Sequence, residues 1–186
     1  MSDVDKVIAC FKEVGFKPVV KKFEHRIIMQ KLAYLLQLKG VELGFDFSPY
    51  VRGPYSPQLA KQIFDNQEKF EKLQTSAKLL PKEEEVVQQF SEVFELKASM
   101  LEIAATYLYF SFERKENEID AVRHLKQLKP FFSEAQVAVA ISKAKQFLPL
   151  ATEADREALK KELAPWQNAA VQSWVDLDEK GRSVDS

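Results

Sequence analysis

Apolar side chains recur every three to four residues along most of the chain, which is the spacing of helices with one buried face. Capping residues, glycine or proline bound these segments, so their limits follow from local chemistry. The pattern predicts a mainly α fold. The predicted helices cover residues 3–14, 24–39, 57–66, 82–96, 98–112, 118–126 and 134–147, and a last helical region starts at residue 152.

One predicted helix is apolar on every side. Within residues 98–112 the only charged residue is Glu102. A helix without a polar face lies in the middle of a domain, so this helix is predicted to be the centre of a compact multi-helix domain. Glu102 then needs a partner, because an isolated carboxylate is costly to bury. Arg52 and Lys31 are the candidate partners.

A segment rich in aromatic residues joins the second and third helices. Residues 45–52 alternate in a strand-like manner, and we interpret them as a short extended aromatic segment. Gly53 and Pro54 are typical of a turn. Ser56 and Pro57 then predict a helix start, because a serine hydroxyl caps free N–H groups and proline suits the first helical position.

The chain has 186 residues, of which 46% are hydrophobic and 30% charged. This is enough for one full domain with a small appendage. We predict a helical domain over residues 1–150, a C-terminal helical extension packed on it over 151–175, and a mobile tail over 176–186. The net charge of -1 indicates neither a membrane-binding nor a phosphate-binding surface.

The single cysteine, Cys10, excludes an internal disulfide and a zinc site built from several thiolates. Its apolar neighbours predict a buried thiol. No apolar run approaches the roughly 18 residues that span a bilayer, and the N-terminal residues lack the pattern of a signal peptide. We therefore expect a cytoplasmic protein that does not contact a membrane.

No motif for catalysis, metal binding or cofactor binding is recognisable, and we expect no cofactor. The simplest interpretation places Lys31 and Tyr34 at the border of the core, with the ammonium of Lys31 reaching solvent. The loop aromatics would then form a small core with Arg52 stacked on them. The same residue types are favoured at protein interfaces. The candidate interaction residues are Gln30, Lys31, Tyr34, Tyr50, Arg52 and Tyr55.

Several stretches resemble a known family. QKLAYLL at 30–36 and GFDFSPYVRGPYSPQL at 44–59 resemble YwgA-like uncharacterised bacterial and archaeal proteins and, more distantly, the Panacea domain of SocA-like antitoxins. LEIAATYLYF at 101–110 and LKQLKPFFSEAQVAVAI at 125–141 fit the same pattern. The resemblance covers roughly residues 24–148. The positions that match the shared motif are Gln30, Lys31, Tyr34, Gly53, Pro54, Tyr55 and Ser56.

Panacea-like antitoxins are compact, mainly helical proteins that bind partner proteins, commonly toxins. The resemblance therefore implies a non-enzymatic protein–protein interaction or regulatory domain of antitoxin-like character. YwgA-like relatives often look winged-helix-like, with a β-hairpin after the motif helices. A degenerate winged-helix-like N-terminal half is thus the alternative fold, although residues 69–81 lack the expected glycine turn.

Two other functions stay open. An enzyme with an unrecognised site near Glu102 and Tyr55 would need a deep pocket that brings Glu102 to a second titratable group. A nucleic-acid-binding regulator with a degenerate helix-turn-helix would need several cations to converge on one face. Those cations are Lys21, Lys22, Arg26, Lys31 and Arg52.

Overall fold

The computed structural model describes residues 4–149. The chain divides into two units after Pro149, and the described residues belong to the first. The predicted C-terminal extension and tail lie outside them. The elements in chain order are α1 (Val4–Val14), α2 (Phe23–Leu38), β1 (Ser48–Tyr50), β2 (Gly53–Tyr55), α3 (Pro57–Asp65), α4 (Gln67–Glu71), α5 (Pro81–Val93), α6 (Ala98–Leu108), a π-helical turn (Tyr109–Glu113), α7 (Glu118–Leu128) and α8 (Glu134–Phe147).

The mainly α fold is confirmed, with α6 at its centre. Every residue from Leu101 to Leu108 is buried, and α6 packs against α2, α7, α8 and the hairpin. The helix predicted over 98–112 keeps α-helical geometry only to Leu108 and continues as the π-helical turn. The burial predicted for this segment is found from Leu101 to Leu108, which has neighbours on all sides, whereas the π-helical turn contains no buried residue.

Local caps set the helix limits that the sequence predicted. The Ser56 hydroxyl accepts the N–H of Leu59 at the start of α3. Ser133 and Gln136 form a capping box at the start of α8. Gly15 ends α1 with a φ of 75°, a conformation that other residues adopt only with strain. These ends were predictable because each cap is made within a few residues.

β1 and β2 form an antiparallel hairpin, with Tyr50 opposite Gly53. The turn residues are Val51 and Arg52, so the prediction of a turn at Gly53 and Pro54 is wrong. Gly53 starts β2 with a φ of 80°. A Cβ atom at this position would lie 2.2 Å from Oγ1 of Thr106. The absence of a side chain at Gly53 therefore allows the hairpin to approach α6 closely.

Three other side-chain placements differ from the sequence pattern. Phe64 and Ile119 are apolar, yet both are exposed. Glu83, in the first turn of α5, is charged but buried, and it accepts the N–H of Leu80 and pairs with Lys6. The amphipathic pattern locates a helix but does not decide such individual contacts.

The region after α3 bears on the winged-helix alternative. Helix α4, which the sequence did not predict, occupies Gln67–Glu71. Residues 72–80 form no strand, so the hairpin that a wing requires is missing from this stretch. The hairpin of this structure instead precedes α3. Within residues 4–149, no helix is both long enough and apolar enough to cross a membrane.

We expect Gly53→Ala to be strongly destabilising. The left-handed φ costs an L-residue roughly 1–2 kcal/mol, and crowding against Thr106 adds roughly 1–3 kcal/mol. Thr106 cannot turn away without losing its hydrogen bond to the Glu102 carbonyl, 2.7 Å long. Urea unfolding measures the loss.

Gly15→Ala is the matched control for this substitution. Gly15 has a similar φ of 75°, but no atom lies within 4 Å of its added Cβ. Gly15→Ala should lose only the roughly 1–2 kcal/mol of unfolding free energy that the left-handed φ costs. Equal losses of stability in the two variants would contradict the close approach of β2 to α6.

Candidate functional site

A pocket of about 430 Å³ opens between the start of α2, the hairpin and α3. We call it the hairpin pocket and define it by Lys31 from α2, Arg52 and Tyr55 from the hairpin, and Phe64 from α3. Five of the six candidate interaction residues lie on its wall, namely Gln30, Lys31, Tyr50, Arg52 and Tyr55. The fold thus brings together residues that are up to 25 positions apart in the sequence.

Large apolar side chains surround the mouth of the hairpin pocket. The rings of Tyr50 and Tyr55 lie side by side, with centroids 5.3 Å apart. Clustered exposed apolar groups around a concavity are typical of a binding surface, whereas single ones are ordinary. Four of the lining side chains are more than half exposed: Phe23, Tyr50, Val51 and Phe64.

Two arginines hold the rings of this surface. The guanidinium of Arg26 lies 5.4 Å from the Phe23 ring centroid and 6.0 Å from that of Phe64. The guanidinium of Arg52 lies 5.2 Å from the Phe23 ring. Such cation–π contacts orient exposed rings. Arg26 is itself fixed by hydrogen bonds of 3.0 Å to the carbonyls of Val20 and Lys21.

Polar side chains of α2 anchor the hairpin. The Gln30 amide donates to the Ser56 carbonyl at 3.0 Å and accepts the Ser56 N–H at 2.9 Å. The ammonium of Lys31 donates to the Pro54 carbonyl at 2.5 Å. An isolated two-stranded hairpin is marginally stable, so these bonds account for its fixed position. The polar residues of the motif therefore have a structural role.

Glu102 is the negative centre of a buried charge cluster. Its Oε1 lies 2.7 Å from Nζ of Lys129, and its Oε2 lies 3.2 Å from Nη1 of Arg52. Arg52 was predicted as a partner, and this is confirmed. Lys129 was missed, and nothing in its local sequence distinguishes it from a surface lysine. Its Nζ also donates to the Val51 carbonyl at 3.0 Å.

Lys31 is the member of this cluster whose ammonium forms no ion pair with a carboxylate of the described residues. Its side chain is 2% exposed, so the interpretation that its ammonium reaches solvent is wrong. Desolvation lowers the pKa of Lys31 to about 7, against the attraction of Glu102 and helped by the repulsion of Lys129 and Arg52. Among residues 4–149, no carboxylate forms an ion pair with Lys31. Three cations thus surround one anion.

Tyr34 is the candidate that lies elsewhere. It is buried, packs edge-on against Phe47 with centroids 5.3 Å apart, and lines a second cavity with Glu113. Burial and the Glu113 charge raise the pKa of the Tyr34 hydroxyl above its usual range. Glu113 belongs to the π-helical turn, which no sequence pattern predicted. Tyr34 therefore takes no part in the hairpin pocket.

Features of a catalytic or metal site are sparse in the described part of the chain. Residues 4–149 contain no group of three or more His, Cys, Asp or Glu suited to a metal ion. Glu102 does not line the hairpin pocket, and both of its oxygens are paired. Cys10 is buried in the core, as its apolar neighbours predicted.

Two aromatic residues of the pocket, Phe23 and Phe64, were missed in the sequence. Phe64 follows Ile63 and falls outside the buried stripe of Leu59 and Ile63 in α3. An aromatic residue off the stripe was the signal that could have identified it. Phe23 begins α2 beside Lys22, and its contacts with Arg26 and Arg52 depend on the hairpin.

Comparison of the chain with protein-family models, curated proteins and solved structures found no match. The function is therefore inferred from the geometry of the hairpin pocket.

We expect Glu102→Gln to cost roughly 3–5 kcal/mol of unfolding free energy, because Lys129 is left as an uncompensated buried charge. The matched control is Glu118→Gln. Glu118 also pairs with a lysine, Lys145, but both side chains are at least 41% exposed. The control should lose no more than about 1 kcal/mol. Similar losses in urea unfolding of the two variants would show that the Glu102 pair is not buried.

The unmatched charge of Lys31 predicts a pH-dependent effect of Lys31→Met. An unfolded lysine keeps its proton up to about pH 10.5, whereas the folded Lys31 releases it near pH 7. Between these values the unfolded state binds more protons, so raising the pH stabilises the wild-type fold. The unfolding free energy of the variant minus that of the wild type should be largest below pH 7 and fall towards pH 10.

Unfolding curves at pH 6, 8 and 9.5 measure this difference. The methionine also loses the hydrogen bond to Pro54, which costs about 1 kcal/mol at every pH. The slope with pH is therefore the decisive quantity. A difference that is constant with pH would show that Lys31 keeps an ordinary pKa in the folded protein.

Proposed function

We propose that the protein is a non-enzymatic protein–protein interaction or regulatory domain of the cytoplasm, and that it binds its partner at the hairpin pocket. The observation that carries the proposal is the cluster of four exposed apolar side chains and two arginines around this concavity. Aromatic residues and arginine are the types that contribute most binding energy at interfaces. The resemblance to Panacea-like antitoxins supports the same class, with a toxin as the partner.

Hydrogen bonds and cation–π contacts hold the residues around the hairpin pocket in place before a partner binds. Gln30 and Lys31 fix the backbone of the hairpin, and cation–π contacts hold the ring of Phe23. Side chains that are ordered before binding lose little entropy when a partner arrives. A rigid aromatic surface of this kind favours a specific partner.

Two of the five cations that a phosphate-binding face would need are engaged within the protein. Lys31 is buried, and the Arg26 guanidinium is engaged by two backbone carbonyls. Glu102 does not line the hairpin pocket, and both of its oxygens are paired with cations, so this carboxylate has no geometry for general acid–base catalysis there. These observations favour a protein partner over the nucleic-acid and enzyme alternatives.

Site-specific photocrosslinking tests the proposal. Benzoylphenylalanine replaces Phe64 in the full-length tagged protein, which is expressed in its native host and irradiated. Phe131, which is 65% exposed against 57% for Phe64 and does not line the hairpin pocket, provides the matched control position. We expect one dominant protein adduct from position 64 and none of that mass from position 131.

The purified partner then allows affinity to be measured. Phe64→Ala should weaken binding about tenfold or more, as for an interface residue worth at least roughly 1.4 kcal/mol. Phe131→Ala should change the dissociation constant less than about twofold. Equal adducts at both positions, or nucleic acid as the main adduct at position 64, would contradict the proposed function.

A further inference from the structure

The charge cluster beside the hairpin pocket contains more positive than negative groups, unlike a structural ion pair. Lys31, Arg52 and Lys129 face the single carboxylate of Glu102, whose two oxygens are taken by Arg52 and Lys129. A buried ammonium without a counter-charge is costly to the fold. The excess positive charge lies next to an open concavity, where a ligand can supply the missing anion.

Arg52 is the accessible cation of this cluster. Its side chain is 47% exposed, whereas that of Glu102 is 1% exposed. A guanidinium carries five N–H donors, and within residues 4–149 Arg52 donates one hydrogen bond, to Glu102. The guanidinium lies over the Phe23 ring. Its remaining donors suit a planar acceptor such as a carboxylate.

The other walls of the hairpin pocket require an apolar group. Ile63 and the rings of Tyr55 and Phe64 line it. A volume of about 430 Å³ is within the range of pockets that enclose organic groups. The exposed part of the Tyr50 ring at the mouth of the pocket extends the contact surface beyond a single small molecule. A polypeptide segment satisfies both features.

We propose that the hairpin pocket receives an apolar side chain of the partner, and that an aspartate or glutamate adjacent to it pairs with Arg52 and supplies the anion that the buried cluster lacks. The inference rests on the proposed function and specifies the chemistry of the partner.

Binding of this anion is coupled to a proton. The groups that face Lys31 are Glu102, Lys129 and Arg52, and a second carboxylate among them favours the protonated ammonium. Above pH 7 the complex therefore takes up a proton at Lys31. Affinity falls as the pH rises from 7 to 9, by at most about tenfold per unit for a single proton.

Selection from a displayed library of random 12-residue peptides on the full-length protein tests the proposal. We expect the enriched peptides to share an aspartate or glutamate next to an aromatic or aliphatic residue. The most enriched peptide is then synthesised with its acid and with the corresponding amide. The acid-to-amide change should weaken binding to the wild type about tenfold or more.

Protein variants assign this effect to the cluster. With Arg52→Gln, the acid-to-amide change should alter affinity less than about twofold, because the partner of the acid is gone. Glu102 keeps Lys129 in this variant, so the fold is retained. Arg123→Gln is the matched control, since Arg123 is an exposed arginine of α7 that also pairs with an acid, Asp120. Lys31→Met should remove the pH dependence between pH 7 and 9.

The outcomes separate this inference from the proposed function. Peptides that require Phe64 but show no preference for an acid would overturn the inference and leave the binding surface intact. Acidic peptides that bind Arg52→Gln and wild type equally would also overturn it. Selected peptides that bind Phe64→Ala as well as the wild type would contradict the proposed surface itself.

Discussion

The carboxylate of Glu102 joins three distant parts of the chain. It projects from the central helix α6 and binds Lys129, which follows α7, and Arg52, at the tip of the hairpin. Lys129 closes the arrangement with a hydrogen bond to the Val51 carbonyl. The position of the hairpin, and with it one wall of the pocket, depends on this buried ion pair and on the close packing of Gly53 against α6.

At the same cluster, stability and the proposed binding make opposite demands. A domain of this size is stable by only a small margin, and an apolar replacement of a buried ion group often stabilises a fold. Burial of Lys31, together with the repulsion of two neighbouring cations, lowers the pKa of its ammonium. The free-energy cost of burying Lys31 is accounted for if an external carboxylate completes the charge cluster. The stability of the core is then linked to the binding of the proposed partner.

Local chemistry explains how much could be predicted from the sequence. The starts of α3 and α8 follow from Ser56 and Ser133 because each cap is satisfied within one helical turn. The role of Gly53 was predicted wrongly and that of Lys129 was missed, because both roles are set by residues about 50 to 80 positions away. Composition identified Arg52 and Tyr55 as interface residue types, but the pocket that they share with Phe64 exists only after α2, the hairpin and α3 have packed.

The sequence separation of these contacts has a kinetic consequence. Arg52 and Glu102 are 50 positions apart, and Lys129 and Val51 are 78 apart. Contacts of such long range form late, since the intervening chain must first be ordered. A hairpin with strands of three residues each cannot hold its shape before then. The proposed binding surface is therefore absent from partly folded chains, and a partner that recognised it would select molecules that have completed folding.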